Sequence, residues 1–158
     1  MTERAVPAEA AVPAGHRRAF EIVSAARAWI GTPYRHQAAC RGAGADCLGL
    51  VRGVWRDLKG REPETPPPYD PGWGLAAGAE DMRDAARRHL VEIAAPARRP
   101  GDVLLFRMTA GGPARHCAIL ASPATMVHAW SGRAVAETSC GPVWLRRLAH
   151  VFRFPDDF

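Results

Sequence analysis

Residues 43–58 read AGADCLGLVRGVWRDL. Leu50, Val51, Val54, Trp55 and Leu58 recur at steps of three and four, the period of a helix with one apolar face. Asp46 stands where an N-cap would open such a helix, and Gly60 stands where a left-handed C-cap would close it. The spacing therefore predicts a helix beginning at Cys47 or Leu48. Gly49 and Gly53 fall four apart, on one face of it. Because glycine costs about 1 kcal/mol in a helix interior, the pair predicts a close packing contact, with a sheet as the expected neighbour.

Working outward, residues 17–30 carry Phe20, Val23, Ala26 and Ile30 at helical spacing, with Gly31 as a stop. GTPYRHQAACRGAGA, residues 31–45, reads as a glycine-rich loop leading into the Cys47 helix. REPETPPPYDPGWG, residues 61–74, is too rich in proline for a helix or a central strand and reads as a long surface connection, its aromatics packing it down or walling a cleft. A short helix is expected over 79–90, acidic early and basic late as the helix dipole favours. GDVLLF (101–106), HCAILA (116–121), TMVHAW (125–130), AVAET (134–138) and HVFRF (150–154) are β-type runs between turn residues. Helices followed by an antiparallel meander predict an α+β domain with helices packed on a sheet.

A chain of 158 residues suits one domain that buries roughly two thirds of its unfolded surface. Residues 1–15, small and broken by proline, read as a flexible or partner-ordered arm, and 16–158 as the single domain. The net charge of +5 comes from scattered arginines, Lys59 being the only lysine, so charge alone selects no polyanion. Neither nucleic acid nor a membrane is an expected partner: no basic block stands out, and no run approaches the roughly 18 apolar residues of a span. No signal peptide is recognisable, so synthesis and folding in the cytoplasm are expected. Cys40, Cys47, Cys117 and Cys140 lack the spacing of a zinc site or a disulfide framework, and no metal or other cofactor is expected.

A thiol at a helix N-terminus is stabilised as thiolate by the dipole, and the free N–H groups of that first turn can stabilise an oxyanion. His116 and His128 lie in two predicted strands joined by a turn at Ser122 and Pro123. Antiparallel pairing would set them side by side on the sheet face that meets the Cys47 helix, His116 as base and His128 fixing its tautomer. The same residues also fit a small buried cysteine and two structural histidines. Cys40, seven residues before Cys47, is a second thiol that the glycine-rich loop could bring to it as a redox partner. The remaining histidines, and Cys117 and Cys140, read as structural.

Five pieces, WIGTPYRHQ (29–37), DCLGLVRGVW (46–55), RPGDVLLF (99–106), RHCAIL (115–120) and MVHAWSG (126–132), together resemble the NlpC-type cell-wall cysteine peptidases. That family is papain-like in fold and cleaves peptidoglycan stem peptides. YRHQA, DCLGLVRGVW and EPETPPPYDPGW resemble its phage-type branch, found with the tail genes of phages and gene transfer agents. The resemblance implies Cys47 as nucleophile, His116 as general base, and His128 as the orienting third residue. It implies that Tyr34 and Asp46 lie near the oxyanion or hold a substrate amine. The implied activity is that of a thiol endopeptidase on stem peptides, at the bond between D-glutamate and diaminopimelate. The implied setting is a virion tail tip or baseplate with other tail proteins as partners, acting on the wall in the periplasm. A structural or wall-binding tail part, or an amidase on the same fold, is the alternative. One departure is Leu48, where the family commonly has Ser: a hydroxyl that would help bind a substrate end group is missing.

Overall fold

The computed structural model describes residues 11–69 and 80–158. Most of the expected N-terminal arm, and residues 70–74 of the Pro-rich stretch with Trp73, lie outside the described residues. Helix α1 spans Ala14–Arg27, so it begins before Arg17 and takes in the last two residues assigned to the arm. Its buried stripe is Ile22, Val23 and Ala26, continued by Trp29 just beyond the helix, whereas Phe20 and Ile30 face solvent. Both sets have helical spacing, and the larger set of apolar neighbours decides between them: Ile22, Ala26 and Trp29 meet α2 and the sheet.

Two short strands, β1 (Ala39–Cys40) and β2 (Gly44–Ala45), form a hairpin within the glycine-rich loop. Helix α2 then runs from Cys47 to Lys59, capped by Asp46 and closed by Gly60 at a φ of 83°. Helix α3 (Asp81–His89) leads into β3 (Val91–Ile93) and a short 3-10 turn at Ala95–Ala97. The remaining elements are β4 (Val103–Arg107), β5 (Ala114–Ser122), β6 (Thr125–His128), β7 (Ala136–Ser139), the one-turn helix α4 (Pro142–Leu145) and β8 (Leu148–Arg153). The α+β class stands, and five expected strand runs appear with shifted ends. The sheet is an antiparallel array in the order β3-β8-β4-β5-β6-β7, so only β4 to β7 form a meander. β8 returns to pair with the far edge of β4, and the three-residue β3, too short to announce itself, pairs with it.

Both faces of the sheet are covered. On one, Val103, Leu105, Cys117, Ile119, Val127 and Phe152 pack against α1, α2 and Met82 of α3. On the other, Leu104, Phe106, Ala118, Leu120, Met126 and Val151 form a smaller core roofed by Trp144 of α4 and by Leu148. Alternation along each strand produces the two sets. The buried Asp102 accepts from Arg153 Nε at 2.8 Å and Nη2 at 2.9 Å and from the Arg99 backbone at 2.8 Å, tying β8 to the start of β4.

The glycines of α2 do mark close approach, though not to the sheet. A methyl group at Gly53 would sit 2.0 Å from Cζ2 of Trp29, and one at Gly49 would sit 1.8 Å from the Ala38 carbonyl oxygen. The two glycines let α2 lie against the indole that follows α1 and against the loop that carries Tyr34. Gly53→Ala is therefore expected to destabilise the fold by about 1–3 kcal/mol through overpacking. In thermal unfolding this appears as a drop of roughly 2–4 °C for each kcal/mol in a domain of this size.

Candidate active site

Asp46 organises the entrance to α2. Its Oδ1 accepts from the Gly49 backbone N–H at 2.7 Å, its Oδ2 accepts from the Gln37 N–H at 2.7 Å, and the Tyr69 hydroxyl donates to the same Oδ2. Gln37 is the only non-glycine residue at positive φ, 64°, among the described residues, and that conformation turns its N–H toward the carboxylate. Asp46 is 3% exposed. It thus acts as cap and loop clamp, with one donor on Oδ1 and two on Oδ2.

Cys47, one residue on, is half-buried at the positive end of α2. Its thiol is held well below the ordinary thiol range, first by a hydrogen bond with Cys117 and then by the hydrogen bond and charge of His116; burial and the Asp46 carboxylate oppose the shift. Cys117 is pushed the other way by that bond, by burial, and by the charges of Cys47 and Asp46, so the proton of the pair stays on Cys117. Cys40, the thiol that the glycine-rich loop could have brought to Cys47, is exposed in β1 and free. Cys117 holds that place because it follows His116 on β5 and faces α2.

The two histidines meet, on the opposite sheet face from the one expected. His116 Nε2 lies 2.8 Å from His128 Nδ1. Both point to the side of Phe106, Met126 and Trp144, with the Trp144 ring centre 5.4 Å from that of His116 and 5.3 Å from that of His128. Strand alternation gives Cys117, not His116, to the face that carries α2. His116 still reaches the thiol because two irregularities coincide at its position. The β4–β5 register steps from Phe106↔His116 to Arg107↔Ala114, leaving Arg115 as an extra residue, and such a bulge re-aims its neighbours. The β5–β6 ladder also stops at Ile119↔Val127, leaving His116 and Cys117 beyond its end, where α2 delivers Cys47.

Burial, then the neighbouring His116 charge, pushes His128 down to about 4, so it is neutral at physiological pH. Its Nε2 is 2.9 Å from Thr138 Oγ1 on β7. Burial, with the Asp46 and Cys47 charges, raises Tyr34, which stays a phenol with a proton to donate. The Pro-rich connection is pinned along its described length: Glu62 to Arg52 and Arg56, Glu64 to Arg88 and His89. Tyr69 is thereby brought over Asp46, and its phenol too is raised, by burial first and then by Asp46. Leu48 lines a cavity of about 510 Å³ with Val51, Met82 and Cys117 and with the charged Arg52, Glu62 and Arg88.

The NlpC/P60 family profile matches residues 31–153, more than three quarters of the chain. The chain belongs to the NlpC/P60 family. Solved structures of low identity agree on the fold. The NlpC/P60 domain of the peptidoglycan hydrolase SagA is 24% identical, with a TM-score of 0.60 over 86% of this chain and 98% of that one. A lipoprotein-like NLP/P60 protein of Staphylococcus aureus is 23% identical, with a TM-score of 0.61 over 87% of this chain and 41% of that one. NlpC2 of Trichomonas vaginalis is 15% identical, with a TM-score of 0.63 over 87% and 46%. The chain therefore spans nearly all of the SagA domain and less than half of the other two. No curated protein sequence matches it.

Within this NlpC/P60 fold, Cys117, Thr138 and Trp144 join the site without being singled out from the sequence, and Tyr69, one of the aromatics read as packing the Pro-rich connection down or walling a cleft, joins it through Asp46. Of the first three, Cys117 and Thr138 carried a signal, through alternation in strands already recognised. Two measurements check the electrostatics. The rate of iodoacetamide labelling at Cys47, read by mass spectrometry of its peptide, should follow a pH midpoint below the roughly 8.5 of an ordinary thiol. Reactivity is present above that midpoint and lost below it, and His116→Ala should move the midpoint up. His128 should show no titration by NMR between pH 8 and 5 and should protonate near 4.

Proposed function

We propose that this NlpC/P60 domain is a thiol endopeptidase that hydrolyses peptidoglycan stem peptides through Cys47, His116 and His128. The observation that carries the reading is the contact of a depressed-pKa thiol, at a capped helix start, with a histidine held by a second, neutral histidine. With its Nε2 engaged by His128, His116 presents Nδ1 to the thiol. The thiol proton passes to Nδ1, and the thiolate attacks the scissile carbonyl carbon. The N–H groups of Cys47 and Leu48 at the start of α2, and the Tyr34 hydroxyl, are the donors we assign to the oxyanion. Collapse expels the amine, which takes the proton from His116. A water then gives a proton to His116, attacks the thioester, and frees the acid and the thiol.

The family supports the substrate class, since its solved structures include the domain of a peptidoglycan hydrolase. We assign the bond between D-glutamate and diaminopimelate. We also assign a place in a phage-like tail tip or baseplate, assembled in the cytoplasm with other tail proteins and acting on the wall in the periplasm. These finer assignments rest on the sequence resemblance of YRHQA, DCLGLVRGVW and residues 62–73. Leu48, aliphatic and without a hydroxyl, supports a site that does not read a free substrate end group through a hydroxyl at that position.

Purified sacculi digested with the unaltered protein should release soluble muropeptides whose new termini, read by mass spectrometry, identify the bond. Cys47→Ala should reduce release by more than about a thousandfold, the scale of losing a covalent nucleophile. Equal release by both proteins would overturn the assignment, and absence of release from any sacculus would favour a structural tail part.

A further inference from the structure

We infer that Thr138 is a positioning residue of this site, its hydroxyl accepting the Nε2–H of His128 and so setting the tautomer in which His128 can accept from His116. The inference rests on the Cys47–His116 reading above. Thr138 lies on the edge strand β7, opposite Met126 and diagonal to His128 in the β6–β7 ladder, where Met126 pairs with Thr138 and His128 with Ala136. It therefore shares the face of both histidines. The chain of contacts crosses three adjacent strands: His116 Nε2 to His128 Nδ1 at 2.8 Å, and His128 Nε2 to Thr138 Oγ1 at 2.9 Å.

A hydroxyl can donate or accept, so two proton arrangements fit these distances. In one, Thr138 donates to His128 Nε2, His128 Nδ1–H donates to His116 Nε2, and His116 must be neutral to accept. In the other, His128 Nε2–H donates to Thr138, His128 Nδ1 carries a lone pair, and His116 Nε2–H donates to it. When His116 has taken the thiol proton, both of its nitrogens carry hydrogen, and only the second arrangement survives. Thr138 supplies the oxygen that this arrangement requires. His128 is 6% exposed, and the two indoles beside it, Trp130 and Trp144, offer rings without an acceptor oxygen. An Nε2–H left without an acceptor there would be a buried, unsatisfied donor, which disfavours the imidazolium on His116 and with it the Cys47 thiolate.

The titratable groups around the relay are the Cys47 thiol and Asp46 carboxylate at the start of α2, Cys117 on β5, Tyr34 and Tyr69. Glu137, beside Thr138 on β7, pairs with Arg27 of α1 and so points to the other face.

Three proteins test this: the unaltered chain, Thr138→Val and Thr138→Ser. Long-range ¹⁵N–¹H spectra of the unaltered protein should show His128 as the Nε2–H tautomer. In Thr138→Val the pH midpoint of Cys47 alkylation should rise by about one unit, and kcat on sacculi should fall about tenfold with KM unchanged. Thr138→Ser should restore both. An Nδ1–H tautomer for His128 at neutral pH in the unaltered protein overturns the inference even if the valine variant fails to fold. A folded valine variant with the midpoint and kcat of the unaltered chain overturns it as well. Tautomer and alkylation need no substrate, so an unaltered protein that releases no muropeptide would refute the proposed function and leave the relay standing.

Discussion

A single buried carboxylate sets the geometry on which everything at this site depends. Asp46 holds the first turn of α2 through Gly49, the positive-φ turn at Gln37, and the Tyr69 hydroxyl at the described end of the Pro-rich connection. The helix start, the turn before it and the more distant Tyr69 are thus fixed around the residue next to Cys47. A charged acceptor with three donors in a nearly dry setting makes strong, short-range bonds, and breaking any one would leave part of a buried charge unsatisfied. The cap is worth more here than at an exposed helix because it places a nucleophile as well as a helix.

The second constraint is the sheet. A regular antiparallel ladder would give Cys47 one neighbour on the helix-facing side, Cys117, and would hide His116 behind the strand. The bulge at Arg115 and the end of the β5–β6 pairing relax that rule at one point, so the thiol meets groups from both faces. Cys117 keeps its proton and donates toward the thiolate, while His116 supplies charge and a basic nitrogen. The far face, with Trp144 over both rings, keeps His128 neutral by burial and so able to accept.

Close approach supplies the third element. Gly53 admits the Trp29 indole and Gly49 admits the Ala38 carbonyl, which lets α2 settle against α1 and the Tyr34 loop. The Trp29 Nε1–H in turn donates to Asp57 of α2 at 2.8 Å. A larger residue at either glycine would push the helix, and Cys47 with it, away from β5. Packing on one side of the helix therefore governs chemistry at its end.

Much of this was legible from local signals. The capped α2, its αL exit at Gly60, the strand runs and the candidate residues Cys47, His116 and His128 all follow from periodicity, turn chemistry and capping within about fifteen residues of each position. Those forces act locally, so a linear reading captures them. What remained hidden depended on partners distant in sequence: which apolar stripe of α1 is buried, that β8 returns beside β4, that the histidines take the far face, that Tyr69 reaches Asp46, and that Cys117, Thr138 and Trp144 complete the setting. Bulges, ladder ends and the match of a glycine to an indole arise only when elements pack. The sequence by itself determined the helix, the strands and the chemically able side chains; only the tertiary structure decided which of them touch, because contact is set by register and packing rather than by spacing along the chain.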